Sequence, residues 1–331
     1  MNIHLNTQKV AVFHRFGSPE VVVLEETPIP QIQGKEILVK IHFSTVNSAD
    51  CRIRSRNVPR GFGFILGLIY GFKEPKKKIL GLEASGEVVA KGSQVQNFSI
   101  GDRVVLNLGF GMGGHQEFVA INEDKQVIKL PENVSYEKAV AAVFGAGTAL
   151  LYLRDKIKLK ADQQILITGA GGAVGSAAVQ LALAMGARVT AVCSSDKVAW
   201  VQKLGAHKVI NYQTTNWLAL SEKFDVIFDS VGVCSIGNTL PLLNLNGKVA
   251  FLVADLPLNL KCVWYSLKHS QKFYAGAIDP KKEDIEYLIQ EISSGRLNPL
   301  IGQVFPFGNI VEAHRLAESG HKLGSVLLKM I

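Results

Sequence analysis

The sequence predicts a two-domain α/β protein, in which a barrel of antiparallel strands is joined to a parallel sheet with helices on both faces. Three observations carry that expectation. Residues 1–129 hold short β-runs broken by Gly, Pro and Asn, the grammar of an antiparallel barrel. From residue 130 onward, strand-like runs that are apolar nearly throughout alternate with helix-like segments, as in a sheet buried on both sides. The first of these runs leads directly into a glycine-rich turn and a helix of small residues.

Composition narrows the class before any motif does. The 331 residues, 47% hydrophobic and 19% charged, suffice for two cores and exclude disordered, fibrous and repeat architectures. Cys51, Cys193, Cys234 and Cys262 lie singly with no CxxC, which speaks against a disulfide framework or a clustered zinc site and fits a reducing, cytoplasmic setting. The polar N-terminal stretch is unlike a signal peptide, and no apolar run reaches the roughly 20 residues that span a bilayer, so a soluble protein is expected. The net charge of +8, from 36 basic and 28 acidic residues, suits an anionic cofactor, a nucleic acid or a lipid surface alike, so the motifs must choose.

In chain order, barrel strands are expected at 9–13, 37–44, 84–90, 103–106 and 117–121. Pro131 then opens a turn, and Ser135, three residues before Lys138, starts an apolar helix through residue 153. Strands of the parallel sheet follow at 164–168, 188–193, 208–211, 224–229, 248–253 and 272–278, with helices at 173–185, 197–204 and 236–243 between them. After Pro280 come a charged amphipathic helix at 282–293, a short strand, a helix at 310–318 and a last strand at 325–330. The domains are therefore 1–129, 130–279 and a return of 280–331 to the first.

Directly after the strand ending in Thr168 stands Gly169-Ala170-Gly171-Gly172-Ala173-Val174-Gly175. Glycines let the backbone turn tightly and approach a diphosphate, while the N–H groups and positive dipole end of the following helix receive its charge. The spacing is GxxGxxG with Gly171 added, not a strict GxGxxG, and its placement between strand and helix carries the weight. A dinucleotide fold reads the adenosine ribose about 20 residues further on, at the end of the second strand. Here stand Ser194-Ser195-Asp196-Lys197. No carboxylate occupies the tip, and two hydroxyls with an ammonium suit a 2′-phosphate, so NADPH is favoured over NADH. Asp196 would reverse that preference if it turned inward. Ser194 as a helix cap and Lys197 as a solvated side chain fit the same letters.

Together with Gly81-Leu82-Glu83-Ala84-Ser85-Gly86, Gly92 and Val95, these residues resemble the medium-chain dehydrogenase/reductases over essentially the whole chain, in particular the zinc-free quinone oxidoreductase-like branch. The resemblance implies a GroES-like β-barrel catalytic domain, a Rossmann dinucleotide-binding domain and an active cleft between them. Leu82 stands where metal-dependent members carry a histidine ligand, Asn47 stands for their first cysteine ligand, and their four-cysteine lobe is missing, so neither zinc is expected. Asn47 and Asp50 match an NxxD site whose asparagine lies beside the nicotinamide and whose aspartate supports the loop. By the same resemblance Thr148 approaches the cofactor from the domain junction, Tyr212 borders the 2′-phosphate, and backbone at Val231 and at Phe251-Leu252 borders the nicotinamide. Each of these also fits a capping or packing role. Arg52 replaces an aromatic residue that several quinone reductases carry two positions after the aspartate, so their quinone platform does not carry over. Homodimers through the sheet's last strand, near 271–278, are implied as well.

The expected activity is NADPH-dependent, zinc-independent hydride transfer to quinones or activated alkenes, whose electron-poor C=C needs less polarisation than a plain carbonyl. No residue reads as a general acid. The working mechanism has the product oxygen held by Asn47 or backbone N–H and protonated by water. A zinc-independent alcohol or aldehyde dehydrogenase is the enzymatic alternative, and a nucleotide-binding module docking on RNA or membrane the non-enzymatic one. No RNA or DNA module accompanies Lys76-Lys77-Lys78, so no specific nucleic acid is expected. The apolar, basic-flanked segment 61–72 is expected as a packed loop, with a pocket lid or weak contact at an anionic membrane surface as alternatives. His115, His207, His314 and His321 show no ligand spacing and are expected on the surface or packed.

Overall fold

The computed structural model describes residues 6–276 and 278–330. The start of the N-terminal stretch read above, and Ala277 in the expected strand 272–278, lie outside the described residues. A ribbon of β1 (Thr7–Phe13) and β2 (Val22–Pro28) precedes the barrel strands β3 (Glu36–Val46), β4 (Glu83–Lys91), β5 (Arg103–Asn107), β6 (Phe118–Asn122) and β7 (Val127–Lys129). Helices α1 (Ser48–Ser55) and α2 (Gly63–Tyr70) fill the connection from β3 to β4, and α3 (Tyr136–Leu150) leads out of the barrel. The parallel sheet comprises β8 (Gln164–Thr168), β9 (Arg188–Cys193), β10 (Lys208–Asn211), β11 (Phe224–Asp229), β12 (Leu243–Phe251) and β13 (Lys272–Ala275). Its helices are α4 (Ala173–Ala184), α5 (Val198–Lys203), α6 (Ile236–Thr239) and α7 (Leu256–Lys268), and the chain finishes with α8 (Lys282–Ser293), β14 (Ile301–Pro306), α9 (Ile310–Glu318) and β15 (Ser325–Lys329).

Alternation along β8 shows why the sheet forms. Ile165 and Ile167 enter one core and Leu166 the other, so both faces of the strand are apolar and both are covered. The strand order β10-β9-β8-β11-β12-β13 reverses between β8 and β11, which opens a crevice at the carboxyl ends of those two strands. β15 pairs antiparallel with β3, setting Val326 opposite Val46, so the C-terminal segment completes the barrel sheet.

Helix α3 joins the two sheets. Ser135 caps it by accepting from the Lys138 N–H, and its small residues let it approach the glycine turn closely: a Cβ on Gly145 would stand 2.9 Å from the Ala173 carbonyl oxygen. Beyond Leu150 the helix widens into a π-type turn, Leu151–Ile157, closed by Lys158 at φ 54°, so the α-helix ends before residue 153.

Most of segment 61–72 is helix α2, not an irregular packed loop. Leu66 and Tyr70, four apart, face the barrel, while Phe64, Ile65, Leu68, Ile69 and Phe72 are exposed. Gly71 at φ 105° ends α2, and the Lys76 ammonium donates to its Leu68 carbonyl at 2.9 Å. None of the exposed apolar side chains borders the cleft described next.

Candidate active site

At the crevice, the turn after β8 forms one wall of a cleft of about 1030 Å³ between barrel and sheet. Gly172 occupies the N-cap of α4 and supplies no side-chain cap. The residues carrying the first N–H groups of this twelve-residue helix, Ala173, Val174 and Gly175, line the cleft, an arrangement that receives an anion. Three of the turn's four glycines have a steric reason. A Cβ on Gly169, at φ 66°, would strike Val231, and one on Gly171 would lie 2.5 Å from Cδ of Lys197, whose stem runs along the turn. A Cβ on Gly175 would lie 2.1 Å from the Gly169 carbonyl oxygen. The cradle thus exists only without side chains, and it fits the diphosphate of a dinucleotide. Ala170 is fully buried and faces the core, so within the turn it alone does not border the cleft.

At the ribose end, Ser194, Lys197 and Tyr212 line the cleft together with Gln213. Ser195 does not. Its hydroxyl donates to Gln213 Oε1 at 2.7 Å and accepts from Asn211 Nδ2 at 2.8 Å. Asp196 is exposed and off the cleft, and the Ser194 hydroxyl, foremost among several contacts, holds its carboxyl below the usual range.

At the barrel end the expected roles shift. Asn47 is the N-cap of α1: its Oδ1 accepts from the Ala49 and Asp50 N–H groups at 2.8 and 3.2 Å, and its Nδ2 donates to the Glu83 carboxyl at 3.1 and 3.3 Å. An amide engaged on both sides positions its neighbours and leaves little for a product oxygen. Asp50 is fully buried and accepts from the Asn47 and Gly81 N–H groups, both at 2.9 Å, so it holds the loop without reaching the cleft. Thr148 is also off the cleft, because α3 meets it one turn earlier, in mid-helix at Phe144. Val231 borders the cleft with Val233. Their loop is held by the buried Asp229 carboxylate, which accepts from the Val231, Gly232 and Cys234 N–H groups at 3.2, 3.0 and 2.8 Å. Phe251 packs in the core against Phe273 and Leu252 is tied to Asp229, so Val253 reaches the cleft in their place.

The sequence reading passed over two residues here. Glu83 is buried at the start of β4, accepting from the Thr45 hydroxyl as well as from Asn47, and burial, with Asp50 next, pushes its carboxyl up to about 8. An acidic residue inside an apolar strand was the available signal. Lys322 stands between the cleft and a small cavity lined by Thr45, Asn47 and Glu83. Among the described residues its ammonium has no acceptor in hydrogen-bond range; burial lowers its pKa, partly offset by Cys51, Asp50 and Glu83. No periodicity in the loop before β15 marks it.

The Glu83 assignment has a measurable consequence. Between the ordinary carboxylate value and about 8, folded Glu83 keeps a proton that the unfolded chain has released, so stability falls as pH rises across that interval. The melting temperature of the wild type is expected to drop from about pH 6 to about pH 9 by more than that of Glu83→Gln, which carries no charge to bury. Identical slopes would assign the effect to another group.

The donor set does not fit zinc. Leu82 packs in the barrel core, the Asn47 amide is engaged, and among the described residues no three His, Cys, Asp or Glu side chains converge. His115 and His314 do meet, with buried rings 5.9 Å apart edge to face. Cys51 Sγ lies 3.8 Å from His314 Nδ1, but burial pushes that thiol up to about 12, far from a ligating thiolate.

Residues 33–132 match the alcohol dehydrogenase GroES-like domain, and residues 204–328 match the zinc-binding dehydrogenase family, whose metal the donor set above does not accommodate. The chloroplast envelope quinone oxidoreductase homolog of Arabidopsis thaliana is 30% identical over 320 residues, 92% of each chain. The NADPH-dependent alkenal/one oxidoreductase of the same plant is 26% identical over 333 residues, covering 97% of this chain and 79% of the relative. Among solved structures, the quinone oxidoreductase from Coxiella burnetii superposes with a TM-score of 0.85 at 28% identity, over 98% of this chain and 100% of that one. The chain belongs to the medium-chain dehydrogenase/reductases, in their quinone oxidoreductase-like branch, and is an oxidoreductase.

Proposed function

We propose that this oxidoreductase uses NADPH, without zinc, to transfer hydride to quinones or to the electron-poor C=C bonds of enones and enals. One observation carries the reading: the uncapped N-terminus of α4, Lys197 with Ser194 and Tyr212, and the ammonium of Lys322, unpaired among the described residues, all face a single cleft, while the positions matched to metal ligands hold Leu82, packed in the barrel core, and an Asn47 bonded to Glu83. The name of the Arabidopsis alkenal/one relative supports the cofactor and the substrate class. When bound, the reduced nicotinamide would supply a hydride, with its two electrons, to the β-carbon.

The chain's own groups do the rest. The α4 amides neutralise the diphosphate, and Lys197 beside Ser194 receives the 2′-phosphate. Lys322 stabilises negative charge on the product oxygen and delivers the proton that completes reduction, replenished from solvent through the cleft. Glu83, held by Asn47 and Thr45, keeps a proton on the far side of Lys322 and so limits the negative charge there. The outer edge of β13 pairs with no strand among the described residues, which supports a homodimer by edge pairing.

Fluorescence titration with each cofactor tests the first half. NADPH is expected to bind at least about tenfold tighter than NADH, and Lys197→Glu to invert that order. NADH binding as tightly to the wild type would refute the 2′-phosphate assignment. A panel then separates NADPH oxidation by enones and quinones from alcohol-dependent NADP⁺ reduction, and activity confined to alcohols would favour the dehydrogenase alternative.

A further inference from the structure

Three arginines stand at alternate positions, Arg52 and Arg54 on α1 and Arg56 just after it, and two of them donate to acceptors brought from elsewhere in the fold. Arg54 is fully buried and donates to the Gly17 carbonyl at 2.6 Å and to Glu318. Arg56 donates to the Phe72 carbonyl and lies over the Phe16 and Phe72 rings, 5.3 and 5.7 Å from their centroids. Arg52 differs. It is largely buried, lines the cleft itself, and among the described residues its guanidinium meets neither a carboxylate nor any other acceptor. Burial accordingly depresses its pKa, with only Cys51 acting the other way.

A second group in the same place is also unsatisfied. Arg52 shares with Phe16, Leu66 and Tyr70 a small cavity beneath α2, and the Tyr70 hydroxyl, on a residue 3% exposed, has no partner among the described residues. Burial, with the Asp50 charge second, pushes that phenol up to about 12, so it stays a neutral donor. The Tyr70 hydroxyl is therefore a buried donor without an acceptor among the described residues, which costs stability unless something else completes it, and Arg52 beside the same cavity is a cleft cation with no protein counter-ion among them. A carboxylate is the complementary group. Its two oxygens match the guanidinium fork, and it offers further lone pairs to a hydroxyl.

We propose that the substrate is an enone, enal or quinone bearing a carboxylate, with Arg52 and the Tyr70 hydroxyl holding that carboxylate while the reducible bond lies further along the cleft toward Lys322 and the glycine turn. This rests on the reductase reading above. In an enone or enal the C=C π-bond is lost, the β-carbon gains the hydride and its two electrons from NADPH and the α-carbon gains a proton; in a quinone the same hydride and proton leave both carbonyl oxygens as the hydroxyls of a quinol; in each case the carboxylate is unchanged.

The test uses an aliphatic enone with a carboxylate two methylenes from its double bond, and the methyl ester of the same compound. Wild type is expected to favour the acid by about tenfold or more in kcat/KM, with the ratio collapsing to about one in Arg52→Leu. Arg52→Lys, which keeps the charge without the fork, should retain part of the ratio, and Tyr70→Phe should reduce it less than Arg52→Leu. Equal kcat/KM for acid and ester in the wild type would overturn the carboxylate site and leave the reductase reading standing. Failure to reduce either compound would instead remove the reductase reading. The site is then judged by calorimetric titration of the saturated acid into the cofactor-free protein: binding that Arg52→Leu loses supports it, and no binding to the wild type overturns it. Circular dichroism of each variant confirms that the fold is kept.

Discussion

Gly175→Ala is expected to weaken NADPH binding at least about 100-fold and to lower the melting temperature. The added Cβ would lie 2.1 Å from the Gly169 oxygen, 2.7 Å from its carbon and 2.9 Å from the Ala170 Cα. All three are backbone atoms, so no side-chain rotation relieves the clash and the turn itself must open. It has little room to do so: Gly169 is already at φ 66° against Val231, and the Gly171 oxygen accepts from the Gly324 N–H at 2.7 Å, tying the turn to the barrel. Overpacking of this kind costs about 1–3 kcal/mol, and here it also displaces the amides that receive the diphosphate. Gly308→Ala is the control, since nothing lies within 4 Å of its Cβ position. Wild-type affinity in Gly175→Ala, measured by fluorescence titration beside a thermal melt, would sink the cradle.

Lys322→Met should lower kcat about 100-fold on enones while changing NADPH affinity no more than a few-fold. The side chain is the unengaged cation between the cleft and the Asn47–Glu83 pair, whereas the Asn47 amide already serves as helix cap and partner of Glu83. A donor that acts in its protonated form loses activity as pH rises through its pKa. Burial places that pKa of Lys322 below the ordinary lysine value, so the wild-type kcat profile should have a basic limb that Lys322→Met lacks. Asp50, Cys51 and Glu83 face the same ammonium and set where the limb falls. Lys322→Arg should recover charge stabilisation but little proton donation. An unchanged kcat with a strongly raised NADPH dissociation constant would make Lys322 a phosphate anchor instead.

Some of this was readable in the letters and some was not, for reasons that differ from residue to residue. The glycine turn was readable because strand, turn and helix are consecutive, and its chemistry comes from backbone that needs no distant partner. Lys197 and Tyr212 follow from the same local logic, each lying just beyond the end of a strand. Asn47 shows what the letters leave out: its spacing to Asp50 announces a capping box, but the third partner, Glu83, is 36 residues away on β4. Thr148 and Phe144 share one helical face, and only the height at which the sheet meets α3 selects Phe144 for the cleft.

The sequence by itself determined the two architectures, the diphosphate turn and the absence of matching ligands at the zinc positions, because periodicity, glycine placement and side-chain chemistry are local properties of the chain. Only the tertiary structure decided which polar groups are satisfied. Arg52, Arg54 and Arg56 read alike as letters, and they part company only when Gly17, Glu318 and Phe72 arrive from elsewhere in the fold to accept from two of them. Lys322 likewise becomes a cleft cation only because pairing of β15 with β3 carries the loop before it to the mouth of the glycine turn. Hydrogen-bond satisfaction is settled by long-range packing, and that is why the unpartnered donors, the groups most available to a ligand, had to be found in three dimensions.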